Sequence, residues 1–206
     1  TEAYVDRMDV RLETTVSRVS HDGTYEILLS DGSTLQADQL LVATGRKPNG
    51  DRLEVHRAGI TLDERGYIIT DDQLRTGADG IWALGDVTNP RQLKHTANEE
   101  ARIVAHNLAD PTELQSVDRS VVPHAVFGHP QVGSVGNTEK ELVDSGRPHI
   151  VATRRYADTA YGWAMEDSTG FAKVLADPDT RLLLGAHIVG PQAPTLVQQL
   201  IQGMAT

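Results

Sequence analysis

Thr76-Gly77-Ala78-Asp79-Gly80-Ile81-Trp82-Ala83-Leu84-Gly85-Asp86 is the stretch on which the reading of the fold turns. A turn rich in Gly and Asp feeds a short apolar run, Ile81 to Leu84, and the run stops at Gly85-Asp86. An apolar run this short, bounded by turn residues, is expected as a buried strand of a parallel sheet rather than as a helix. Ligands of open α/β sheets bind beyond the carboxyl ends of the strands. Gly85 is therefore expected to let a ligand approach the backbone, and Asp86 to accept hydrogen bonds from its hydroxyls. The plainer reading, in which Asp86 only caps a turn, stays open on this stretch alone.

The same pattern occurs once more upstream. Leu40-Leu41-Val42-Ala43 reads as a second buried strand, closed by Thr44-Gly45-Arg46-Lys47-Pro48-Asn49. Before it, alternation over Val10, Leu12, Thr14 and Val16, the run from Tyr25 to Leu29 and the run from Thr34 to Ala37 predict three antiparallel strands joined at His21-Asp22-Gly23 and Asp31-Gly32. Residues 50–75 read as a loop-rich connection, with a helical turn or two near 53–58 ended by Gly59 and a short strand over 67–70.

Beyond Asp86 a helix is expected from about Thr96 to Asp110, with Ala97, Ala101, Val104, Ala105 and Leu108 as its buried face and Glu99 and Glu100 in its first turn. Its start would lie one short loop from Asp86, so backbone N–H groups near Leu93, Lys94 and His95 are placed to reach the same ligand. An ordinary solvated helix entry accounts for Lys94 and His95 equally well.

A polar linker over 113–119 marks a boundary. After it, strands are expected over 121–127, 131–135, 149–154, 171–176 and 182–189, interrupted by two helices. The first opens with a capping box from Thr138 to Glu141 and ends at Gly146; the second follows Gly190-Pro191. The fold class is thus α/β followed by α+β.

A net charge of −10 over 206 residues argues against nucleic acid or an anionic membrane as partner. With 0 Cys the chain offers no thiol and no disulfide. His21 and His56 stand alone among polar residues, so no metal site is expected. No signal peptide or membrane-spanning run is visible, and a cytoplasmic location is expected.

These motifs, taken in order, resemble the flavoprotein disulfide reductases, the family of glutathione, lipoamide, mercuric and mycothione reductases. Residues 76–86 resemble the family's second FAD-binding motif, residues 41–49 the segment that leaves its pyridine-nucleotide domain, and Leu93-Lys94-His95-Thr96-Ala97-Asn98-Glu99-Glu100 its helix beside the flavin. Val122-Pro123, Phe127, His129-Pro130 and Val135-Gly136-Asn137-Thr138-Glu139 look like the opening of its dimerisation domain; Gly170 to Val174 and Leu184 to Pro191 look like its later strands. Tyr161-Gly162-Trp163-Ala164-Met165-Glu166-Asp167 is most similar to the mycothione reductase branch.

The resemblance implies three parts: residues 1–48 as the end of an NAD(P)-binding domain, 49–118 as the second part of a Rossmann-like FAD domain, and 119–206 as a truncated dimerisation domain forming a homodimer. It implies FAD and NADPH as cofactors and a small disulfide as substrate. Asp86 would bind the ribityl chain, and the backbone of Gln92, Leu93, Lys94 and His95 would face the flavin pyrimidine ring. Gly45 and Ala125 match positions that approach NADPH, and Arg102 matches one that contacts the disulfide. The family's redox Cys pair, its two Gly-rich loops and its C-terminal His-Glu pair are missing from the sequence, and His129-Pro130, which superficially fits the last, is expected to be structural. No catalytic residue is therefore assigned, and the chain by itself is expected to be inactive.

Overall fold

The computed structural model describes residues 2–5 and 7–205 and divides into two compact units, 1–46 and 47–206. The first begins with one helical turn, α1 (Glu2–Val5), and is built on a three-stranded antiparallel sheet in the order β1-β2-β3: β1 (Val16–His21), β2 (Tyr25–Leu29) and β3 (Thr34–Ala37). The expected turns are present. Gly23 and Gly32 take positive φ of 79° and 83°, which glycine adopts without steric cost. Asp31 accepts the Ser33 N–H at 2.8 Å and its hydroxyl at 2.6 Å, and these bonds hold the Asp31 carboxyl below its usual range.

Two expectations fail in this unit. The first strand starts at Val16, not near Val10: Glu13 sits at φ 53°, which breaks an extended run, and ladder pairing begins only at Val16↔Leu29. Residues 40–43 form no strand, and Leu41 is 88% exposed. A strand buried on both faces needs hydrogen-bonded neighbours and covering layers. Among the described residues, nothing pairs with this run.

The second unit starts irregularly, with 3-10 turns at Gly50–Arg52, Val55–Ala58 and Gly85–Val87. Gly59 ends the second of these at φ 74°, as expected. Val55, Ile60, Ile68 and Ala83 make one small core. The only β pairings among the described residues of this stretch are the single bridges Leu62↔Ile68 and Arg75↔Trp82, so the expected strands over 67–70 and 81–84 are not formed. Loop-type bonds hold the second run instead: the Ala83 N–H donates to the Leu74 carbonyl at 3.1 Å and the Thr76 N–H to the Ile81 carbonyl at 3.0 Å.

The long helix α2 (Lys94–Ala109) ends at Asp110, as expected, but its buried face is rotated from the predicted one. Thr96, Glu100, Ile103, Val104 and Asn107 point inward, whereas Ala101, Ala105 and Leu108 are exposed. Ile103 and Val104 pack with the fully buried Leu74. The 113–119 stretch is tied down rather than loose: Asn107 accepts the Gln115 N–H at 2.7 Å and donates to the Gln115 carbonyl at 2.9 Å, and the Val117 N–H donates to the Asp72 carbonyl at 2.8 Å.

The remainder is regular. β4 (His124–Val126), β5 (Val132–Gly136), α3 (Glu139–Asp144), β6 (Ile150–Arg155), α4 (Ala160–Ala164), β7 (Phe171–Ala176), β8 (Leu183–Val189) and α5 (Ala193–Ala205) follow in order. The strands form one antiparallel sheet, β4-β5-β8-β7-β6. α5 lies against β4, β5 and β8, and Val135, Ala186, Ile188, Ala193 and Val197 form the core between them. The approach is close: a Cβ on Gly133 would sit 2.5 Å from the Ala193 carbonyl oxygen. The capping box of α3 is formed, with Thr138 Oγ accepting the Glu141 N–H at 3.2 Å and Glu141 accepting the Thr138 N–H at 2.7 Å. The short α4, capped by Thr159, is an addition to the two helices expected here; too short to show an apolar period, it leaves little trace in sequence.

Candidate functional site

The site is built around a turn and a helix start. Gly85 adopts φ 74°, and a Cβ there would meet the Ala97 methyl of α2 at 3.4 Å. The carbonyl of Gly85 accepts the Thr88 and Asn89 N–H groups, both at 3.0 Å, and closes the 3-10 turn that presents the half-buried Asp86. This turn packs on α2. Asp86 and the start of α2 are thus two parts of one local structure.

The connecting loop is ordered by Asn89, which accepts the Arg91 N–H on its side chain at 3.0 Å and the Gln92 N–H on its backbone carbonyl at 3.1 Å. Gln92 stands at φ 50° and donates its side-chain amide to the Tyr67 hydroxyl at 3.3 Å. Because the Gln92 amide is used inside the loop, the run of amides without an acceptor in the helix starts at Leu93. The first bond of α2 is from the Ala97 N–H to the Leu93 carbonyl, at 3.0 Å, and no side chain caps the helix. The N–H groups of Leu93, Lys94, His95 and Thr96 therefore lack intrahelical partners and carry the positive end of the helix dipole. The Thr96 hydroxyl is buried here without a partner among the described residues.

A carboxyl beside a dipole-positive amide cluster can bind a polyhydroxylated ligand on one side and stabilise negative charge on the other. The two kinds of group are those that a cofactor with a hydroxylated chain and an electron-accepting ring, such as FAD, calls for. A cavity of about 350 Å³ is lined by Asp63, Tyr67, Thr88, Asn89, Arg91 and Arg119 among others; Asp86 does not line it.

The other expected positions lie elsewhere. Gly45, in the first unit, is exposed at φ 97°. Ala125 is exposed on β4 and pairs with Gly133. Arg102 is exposed on α2, and its guanidinium is 2.8 Å from Glu99. His187 is held from both sides: its Nε2 donates to the Asn137 carbonyl at 3.0 Å, and its Nδ1 accepts from the Ser134 hydroxyl at 2.5 Å. Burial, with Arg91 and His187 nearby, lowers the pKa of His124. Among the described residues there is no metal-binding cluster and no helix long and apolar enough to cross a membrane.

Glu100 is the residue that sequence reasoning misplaced. Taken as a first-turn acid, it is instead 0% exposed, with Oε2 accepting the Gly85 N–H at 2.6 Å. Its spacing from Thr96, Ile103, Val104 and Asn107 was the available signal, since these lie on one helical face.

With this geometry in view, comparison with known proteins defines the class. Residues 4–101 match the family described as pyridine nucleotide-disulphide oxidoreductase, and residues 122–206 match the dimerisation domain of the same family. The chain belongs to the pyridine nucleotide-disulphide oxidoreductases, flavoenzymes that use FAD and a pyridine nucleotide. It is 49% identical over 181 residues to mycothione reductase of Mycobacterium tuberculosis, a match covering 86% of this chain and 39% of that protein. It is 33% identical over 189 residues to dihydrolipoyl dehydrogenase of Chlamydia trachomatis, covering 92% of this chain and 40% of that one. The crystal structure of LpdA from M. tuberculosis superposes with a TM-score of 0.84 at 25% identity, over 100% of this chain and 45% of that chain. The chain thus spans about two fifths of the length of the curated relatives it matches.

Proposed function

We propose that this chain forms the flavin-facing and dimerising part of an NADPH-dependent flavoprotein that reduces mycothione to mycothiol. The observation that carries the flavin part is the packing of the Gly85–Val87 turn on an uncapped α2; the 49% identity to mycothione reductase supports the substrate. In this reading residues 1–48 belong to the NAD(P)-binding domain, 49–118 to the FAD domain and 119–206 to the dimerisation domain of a cytoplasmic homodimer.

When bound, FAD supplies the two-electron relay between nicotinamide and disulfide. The Asp86 carboxylate accepts hydrogen bonds from the ribityl hydroxyls and fixes the cofactor's register. The amides of Leu93, Lys94 and His95 provide preorganised positive potential where negative charge develops, which costs no reorganisation during the reaction. Gly45, exposed and without a side chain, and Ala125 are assigned one by one as positions that approach NADPH, and Arg102 as one that approaches the disulfide.

A chain with 0 Cys supplies no thiol for exchange with a disulfide. The purified 206-residue chain should accordingly show no NADPH-dependent disulfide reduction, and turnover by it would refute the assignment. For the full-length protein, kcat/KM on mycothione should exceed that on lipoamide. The reverse order would favour a second reading, dihydrolipoyl dehydrogenase, which the 33% identity to that enzyme supports.

A further inference from the structure

Among the described residues, Glu100 is the charged side chain that the fold buries completely. Its two oxygens serve different segments. Oε2 accepts the N–H of Gly85, the first residue of the turn that presents Asp86, at 2.6 Å. Oε1 faces the side-chain amide of Asn89 at 3.4 Å and lies 3.9 Å from the guanidinium of Arg119. Asn89 in turn organises the loop that delivers Leu93 to the start of α2. A single carboxylate therefore spans both halves of the candidate site.

Stability alone does not explain an acid at this position. A buried charge is costly unless it is paired and hydrogen-bonded, and replacing such a group by an apolar one of similar volume is often neutral or stabilising. What the carboxylate supplies, and an apolar or amide side chain does not, is an acceptor on both oxygens facing three donors. Gln in its place would turn an NH2 group toward one of those donors.

We propose that Glu100 is a positioning residue of the flavin site: it fixes the distance between the Asp86 side chain and the amides of Leu93 to His95, and acts on FAD through Asp86. The proposal rests on the flavin reading of the Asp86 turn.

The test is FAD titration of the full-length apoprotein by flavin fluorescence, with visible circular dichroism of the bound flavin, for wild type, Asp86→Ala, Glu100→Gln and the double variant. Glu100→Gln should weaken FAD binding about tenfold, the scale of one lost hydrogen bond to a charged group, and change the flavin dichroism. The double variant should bind FAD no more weakly than Asp86→Ala alone, because the effect of Glu100 passes through that residue. Asn89→Asp, which keeps the acceptor for the Arg91 N–H and leaves the Gly85 bond but removes the amide donor facing Oε1, should weaken binding by about threefold, as should Asn89→Ala, and the pair provides the test if Glu100→Gln does not fold. Unchanged affinity and dichroism in Glu100→Gln, or in the two Asn89 variants where they stand in, would overturn the proposal; so would additive losses in the double variant, which would make Glu100 a support of the fold only. If Asp86→Ala itself leaves FAD affinity unchanged, the flavin reading of the turn has failed and the proposal falls with it.

Discussion

The sheet of residues 124–189 and the segment around Asp86 solve the same problem in opposite ways. In the sheet, every strand pairs with a neighbour, backbone ladders satisfy the polar groups of the inner strands β5, β8 and β7, and Leu175, Ala186 and Val135 are fully buried. Around Asp86 the backbone is held by single bridges, turns and side chains such as Glu100, Asn89 and Asn107. Regular pairing makes a rigid platform. Side-chain bonds to backbone leave turns and amides available, and that is where the candidate site lies.

The contrast can be broken by substitution. The largest effect is expected in the sheet: Leu175→Ala removes a fully buried side chain that packs with Leu142 and Leu184, and should cost about 2–5 kcal/mol in urea unfolding. A loss under about 0.5 kcal/mol would show that the sheet is not the stable part. Next comes the side-chain scaffold. Asn107→Ala strands the Gln115 N–H and carbonyl and should cost about 1–3 kcal/mol, with faster amide exchange over 113–119; unchanged exchange there would show that the stretch is held otherwise.

Thr138→Ala should cost about 1 kcal/mol by removing the cap of α3. The Thr138 backbone N–H, which Ala retains, and the Thr138 hydroxyl, which Ala lacks, hold the Glu141 carboxyl below its ordinary 4.5, so the hydroxyl's contribution is present above that pH and is lost as pH falls through the lowered value. The difference between wild type and Thr138→Ala should thus shrink in acid; a difference that grows in acid would contradict the cap. The smallest effect is expected at Leu41, 88% exposed: Leu41→Ser should change stability by less than about 0.5 kcal/mol. A loss of several kcal/mol would mean that residues 40–43 are a buried strand after all.

The same contrast explains what could be read in advance. The capping box at Thr138 and Glu141, the turns at Gly23 and Gly32 and most strands of the sheet were legible because each signal acts over a few residues or repeats with period two. The strands over 40–43 and 81–84 were not, because apolar composition says nothing about whether a ladder partner exists. The inward face of α2 was misread because its polar members, Glu100 and Asn107, make hydrogen bonds that only the fold reveals, while its outward members include apolar Ala101, Ala105 and Leu108. Asp86 and the start of α2 are singled out by a local motif, and the structure brings these two segments together through the Gly85 turn and Ala97.

The most direct test of the account is the FAD dissociation constant of the full-length protein with and without the Asp86 carboxylate. Asp86→Ala should weaken binding by about tenfold or more, since charge-assisted hydrogen bonds to the ribityl chain are lost. Equal dissociation constants in the two proteins would contradict it.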